Sequence, residues 1–183
     1  ESNLTDNITI ATNASQLDII TNQLGDKVLV VTEPERRDTF PAIALAASYL
    51  SLEKKCSDNE VVVIMPCDPY TEIGYFEAIS RMVECVKQDV AELVLMGITP
   101  TYPSEKYGYV VPEADSADDT YKQVARFTEK PTVPVAEELL KQNAYWNGGV
   151  FAFRLGYMMD IVRKYITSDS FTDTRKRYCE FPK

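Results

Sequence analysis

Apolar residues fall into two rhythms along this chain. Short β-branched runs between turn residues predict strands, and stretches whose apolar positions return every three or four residues predict helices. Residues 9–12 predict a short strand, followed by a helix capped by Ser15 and stopped near Leu24 by Gly25 and Asp26. Residues 27–32 predict a buried strand, residues 33–41 a polar loop with two prolines, and the alanine- and leucine-rich residues 42–52 a helix with Pro41 near its first turn. The strongest strand signal is the all-apolar run 61–65, which Pro66 and Pro69 stop sharply. An amphipathic helix follows over 71–88, with Ile73, Phe76, Ile79, Met82, Val83 and Val86 on one face, and then a third buried strand over 91–98.

Strands with no polar side need cover on both faces. Three of them separated by helices therefore predict an α/β fold with a mostly parallel mixed sheet flanked by helices. After Pro100 the texture changes. Residues 106–112 and 121–131 predict half-exposed strands on either side of a mobile acidic loop, 113–119, and residues 135–143 a short helix introduced by Pro134. A glycine-rich turn into a last strand (146–153) and two helices (155–165 and 171–178) complete the pattern, and no linker or repeat divides residues 1–183 into more than one domain.

Composition narrows the partners. With 183 residues, 45% hydrophobic, the chain suffices for one well-packed domain. A net charge of −9 argues against nucleic acid, whose binding needs clustered Lys and Arg, but leaves room for a small anion held by a few cations and amides. No apolar run approaches the roughly 18 residues of a membrane span, and no basic-then-apolar leader opens the sequence. Cys56, Cys67, Cys85 and Cys179 form no CxxC pair, which fits reduced thiols in the cytoplasm; the triplets starting at Asn3, Asn7 and Asn13 are then chance matches to the glycosylation pattern. With no histidine in the chain, catalysis must rest on carboxylates, lysines, amides or a metal.

In open α/β sheets, ligands bind beyond the carboxyl ends of strands. Asp68, just past the run 61–65, is placed either to share Mg²⁺ with substrate phosphates or simply to form a turn. Gly108 between Tyr107 and Tyr109 suits close approach to a sugar beside flat hydrogen-bonding rings, or an ordinary strand. Glu129 and Lys130 before Pro131 offer an acceptor for hydroxyls and a cation for phosphate, or a solvated ion pair. Asn147-Gly148-Gly149 is an amide beside two permissive backbones, fit for a polar ligand or a tight turn. Arg36-Arg37 precedes a helix start and is available for phosphate, whereas Arg175-Lys176-Arg177 reads as a solvated helix face.

In order, Glu33-Pro-Glu-Arg-Arg-Asp-Thr-Phe-Pro-Ala-Ile-Ala-Leu, Met65-Pro-Cys-Asp, Gly97-Ile-Thr-Pro-Thr-Tyr-Pro-Ser-Glu-Lys-Tyr-Gly-Tyr, Arg126-Phe-Thr-Glu-Lys-Pro and Trp146-Asn-Gly-Gly-Val-Phe resemble the mannose-1-phosphate guanylyltransferases from Val28 onward. The resemblance implies a Rossmann-like nucleotide-diphospho-sugar transferase fold. It also implies that GTP and mannose 1-phosphate become GDP-mannose and pyrophosphate with Mg²⁺, and it leaves a homodimer open. By that resemblance Asp68 holds the metal, and Asp68 and Lys130 are catalytic. Gly108, Tyr109, Glu129, Lys130 and Asn147 hold the sugar phosphate. Arg37, Thr39 and Pro41 lie where the family surrounds the nucleotide, with Asp38 where asparagine is usual and Pro69 where histidine is usual. The family's glycine-rich, arginine-bearing loop, its Pro-Lys-Gln lysine motif and its later aspartate-containing segment are not among these residues. A trimmed catalytic domain, inactive or nearly so by itself, is the expectation. Another hexose-1-phosphate nucleotidyltransferase, or a non-catalytic sugar-nucleotide-binding or regulatory module of the same fold, stands beside it.

Overall fold

In the computed structural model, which describes residues 4–114 and 120–182, seven strands and six α-helices run along the described residues. Their order is β1 (Thr9–Asn13), α1 (Leu17–Leu24), β2 (Leu29–Glu33), α2 (Thr39–Ser48), β3 (Val61–Ile64), α3 (Ile73–Lys87), β4 (Leu93–Ile98), β5 (Tyr109–Pro112), β6 (Val124–Thr128), α4 (Val133–Lys141), β7 (Tyr145–Arg154), α5 (Leu155–Arg163) and α6 (Phe171–Lys176). Every predicted element is present within a few residues of its expected bounds. Most of the acidic loop expected over 113–119 lies outside the described residues, since those end at Ala114 and resume at Thr120.

The chain divides into two compact units, one made of residues 1–64, 71–93 and 152–183, the other of residues 65–70 and 94–151. In the first, β1 and β2 pair in parallel from Thr9↔Leu29 to Asn13↔Glu33. The turn after β1 is capped by Asn13 rather than Ser15: its Oδ1 accepts the Ser15 N–H at 3.0 Å, an Asx-type turn that begins two residues early. Helix α1 buries none of its residues, and Ile19 is 57% exposed. Helix α2 does the opposite. Asp38 caps it, its carboxylate accepting the Thr39 N–H at 2.8 Å, and Pro41 and every residue from Ile43 to Ser48 are buried, so small alanines let neighbours pack closely on several sides. The buried Ser48 hydroxyl is satisfied by donating to the Ala44 carbonyl at 2.8 Å, and residues 49–53 widen into a π-helical turn.

The sequence predicts the apolar strands in one sheet, whereas they occupy two. β1 and β2 form one, and the other follows the order β3-β7-β5-β6 with β4 also pairing β7. An apolar run reports burial, not its hydrogen-bonding partner, and β7 supplies the partner for both β3 and β4. In the second unit β5 pairs antiparallel with β6 and with β7, and its core gathers Tyr109, Val111, Ala136, Leu139 and Ala144 under α4. Tyr109 is fully buried there, so its ring contributes about 2 kcal/mol of hydrophobic stabilisation.

Candidate functional site

The second unit brings three of the predicted residues into one row, with a fourth, Lys130, at its end. Pairing runs Tyr109↔Thr128 on one side of β5 and Tyr109↔Trp146 on the other, so one step further along the strands Gly108 has Glu129 on one flank and Asn147 on the other. Adjacent strands lie about 4.8 Å apart, so the row is about 10 Å wide, the span of a hexose with its phosphate. The Gly108 carbonyl accepts the Asn147 N–H at 2.8 Å. On the other flank the fit is so close that a Cβ on residue 108 would stand 2.7 Å from Glu129 Oε2 and 2.7 Å from Phe127 Cζ, which is why glycine is needed here.

Local backbone strain marks the same row. Lys130 has φ +41°, in the left-handed region that side-chain-bearing residues avoid, and its ammonium sits 3.5 Å from Glu129 Oε1 with both side chains more than half exposed. Asn147 Oδ1 accepts the N–H of Gly149, whose φ of +69° only glycine adopts freely, and this leaves the amide nitrogen with no partner among the described residues. An exposed acceptor and cation, Glu129 and Lys130, thus share the row with the half-buried amide of Asn147.

Two side-chain expectations change. The sequence offers the Tyr109 ring to a sugar, but that ring is fully buried, and its hydroxyl instead accepts the Ser104 N–H at 2.7 Å, closing the turn that delivers Gly108. Its aromatic and hydrogen-bonding character reads from sequence equally well as surface or core. Tyr109→Phe would leave that buried N–H without an acceptor and should lower stability by about 1–3 kcal/mol, readable as a fall in the urea midpoint; an unchanged midpoint would exclude that role. Trp146 instead gathers a ring cluster, its indole edge-on to Tyr102 at 5.1 Å and tilted against Tyr107 at 4.8 Å, which the sequence did not single out.

Arg37, Thr39 and Pro41 belong to the first unit. Pro41 is buried in α2 and Thr39 is exposed at its start. Arg37, read as a cation available to phosphate, is only 10% exposed: Nη1 donates to the Cys179 carbonyl at 2.6 Å and to Glu35 at 3.2 Å, while Nε is buried without a partner among the described residues. Arg36 is exposed and makes no ion pair among the described residues, so of the two it is the one open to a ligand. The Arg175-Lys176-Arg177 face is likewise not simply solvated. Arg175 donates to the Thr32 carbonyl and hydroxyl at 3.3 and 3.2 Å, and Arg177 to both Glu180 oxygens at 2.8 Å. Next to them Tyr178, 1% exposed, donates its hydroxyl to Glu33 Oε2 at 2.6 Å. Burial, helped by the Glu33 carboxylate, pushes the Tyr178 phenol well above its ordinary range, so it remains a donor at neutral pH. A network joining residues 145 apart leaves no periodicity in a sequence.

Asp68 is exposed and belongs to the same unit as the Gly108 row, with no hydrogen bond or ion pair to it among the described residues. No group of three or more metal-ligating side chains exists among the described residues. That donor set does not suit a resident zinc, but a single carboxylate suits Mg²⁺ that arrives with phosphates as its other ligands. No helix among the described residues is long and apolar enough to cross a membrane.

Comparison with known proteins places the chain in a family. The chain is 32% identical to the mannose-1-phosphate guanylyltransferase of Escherichia coli strain K12, over 79% of this chain and 30% of that protein. It is 33% identical to a xanthan biosynthesis protein of Xanthomonas campestris pv. campestris, over 78% of this chain and 30% of that one. It therefore spans about three tenths of the length of the curated relatives it matches. A crystal structure from Thermus thermophilus, described as a mannose-1-phosphate geranyltransferase, superposes with TM-score 0.74 at 27% identity, covering 92% of this chain and 48% of that one. The family model described as nucleotidyl transferase matches residues 2–181, nearly the whole sequence, and the chain belongs to the nucleotidyl transferase family.

Proposed function

We propose that the protein containing this chain transfers GMP from GTP to mannose 1-phosphate, releasing pyrophosphate and forming GDP-mannose. The observation that carries the reading is the row Glu129–Gly108–Asn147 with the strained Lys130 at its end, a sugar-phosphate-sized edge with acceptor, backbone and donor in register. Similarity to enzymes named for that substrate supports the sugar.

In this mechanism Glu129 accepts hydrogen bonds from sugar hydroxyls and the Asn147 amide nitrogen donates one. Gly108 lets the ring approach the backbone, and Lys130 directs the sugar phosphate. The phosphate oxygen attacks the α-phosphorus in line and pyrophosphate leaves. No side chain need remove a proton, because the nucleophile is already ionised, so the residues act by placement and charge. Mg²⁺, held in part by Asp68, would supply charge neutralisation on the nucleotide phosphates when bound. Arg36 and the 37–41 stretch would face the nucleotide.

A panel of hexose 1-phosphates against GTP, UTP, dTTP and ATP, with the full-length protein, tests this. Mannose 1-phosphate with GTP should give the highest kcat/KM by at least about tenfold. Turnover confined to UTP or dTTP would overturn the assignment.

A further inference from the structure

The short segment from Arg175 to Phe181 grips the end of β2, the turn after it and the start of α2 at four places. Arg175 donates twice to Thr32, at 3.3 and 3.2 Å; Tyr178 donates to Glu33 at 2.6 Å; the Cys179 carbonyl accepts from Arg37 at 2.6 Å; and the Phe181 ring meets Phe40 edge-on at 6.0 Å. Tyr178 and Phe181 are each 1% exposed and are the buried anchors of the grip, beside the exposed Arg175 and Cys179. The phenol-to-carboxylate bond is charge-assisted and partly buried, which strengthens it. The grip also holds a side chain against a cost. Arg37 Nε is buried with no partner among the described residues, an arrangement that free rotation would relieve. A turn of residues 34–38 left to itself would keep only the Arg37–Glu35 pair and the Asp38 cap to define its shape, since Glu35, Arg36 and Asp38 are all exposed.

We propose that Tyr178 and Arg175 are positioning residues for nucleotide binding: through Glu33, Thr32 and Arg37 they fix the turn that leads into Thr39 and Pro41. This rests on the reading of residues 37–41 as the nucleotide-facing stretch. It assigns to Arg37 the part of a clasp, and it leaves phosphate contact on that turn to Arg36. Neither Tyr178 nor Arg175 touches the nucleotide.

The test uses the full-length protein with GTP and mannose 1-phosphate. Tyr178→Phe removes only the hydroxyl, and Arg175→Met removes the two bonds to Thr32. Each should raise the GTP KM, and the GTP Kd by calorimetry, about tenfold, while kcat and the mannose 1-phosphate KM stay within about twofold. Glu33→Gln keeps an acceptor for the phenol and should hold the GTP Kd within about threefold of wild type. A GTP Kd unchanged in both Tyr178→Phe and Arg175→Met would overturn the clasp, as would equal losses for both substrates in step with a lowered Tm. Wild-type protein that binds GTP but does not transfer GMP would count against the proposed activity alone, because the clasp is still judged by the Kd values.

Discussion

Asp68→Ala in the full-length protein should lower kcat for nucleotidyl transfer by about a thousandfold, the loss expected when one anchor of a phosphate-bound metal, worth about 4 kcal/mol in the transition state, is removed. The side chain is exposed and makes no hydrogen bond or ion pair among the described residues, so the fold has nothing to lose and Tm should not move. That separation is what makes the variant informative. Asp68→Asn keeps the shape and the turn propensity but not the charge, and should be almost as damaged. Near-normal turnover in either variant would reduce Asp68 to a turn residue between Cys67 and Pro69.

Gly108→Ala should weaken mannose 1-phosphate binding by about ten- to a hundredfold, measured as Kd by calorimetry, with Tm changed by only a few degrees. The added methyl would fall 2.7 Å from Glu129 Oε2, and something must move. Glu129 and the Phe127 ring, equally close at 2.7 Å, are the groups that yield: the Glu129 side chain is 56% exposed and pairs only loosely with Lys130 at 3.5 Å, and Phe127 is 47% exposed. The protein therefore survives the substitution while the acceptor of the sugar row is displaced. Unchanged sugar-phosphate affinity would show that Glu129 does not hold the sugar.

How far the sequence reached depends on what kind of fact was asked of it. Elements marked by local chemistry were legible: the apolar run of β3 with its proline stop, and the face of α3 that buries Ile79, Met82 and Val86. The row of site residues was legible too, because Gly108, Glu129 and Asn147 each sit in a short motif with its own turn chemistry. What escaped was decided between distant segments. Whether β2 pairs with β1 or joins the strands around β7 is a matter of available edges, not of its own composition. Tyr109 could not be sorted into core or surface from a tripeptide, since only α4 packing over β5 covers it. Arg37 and Arg175 look like free cations in a sequence, and only the fold shows each donating to the backbone of the other's neighbourhood.

The clasp also carries a consequence for the order in which this protein becomes itself. Arg37 and the carbonyl it meets are 142 residues apart, so the contact cannot form while the chain is still short, however early β2 and α2 take shape. During synthesis the turn after β2 would remain loose until Tyr178 and Cys179 clear the ribosome, at about 5–20 residues per second roughly 7–30 seconds later. A ribosome-bound chain halted before Arg175 would carry every residue of the 37–41 stretch and still lack the shape that gives it use.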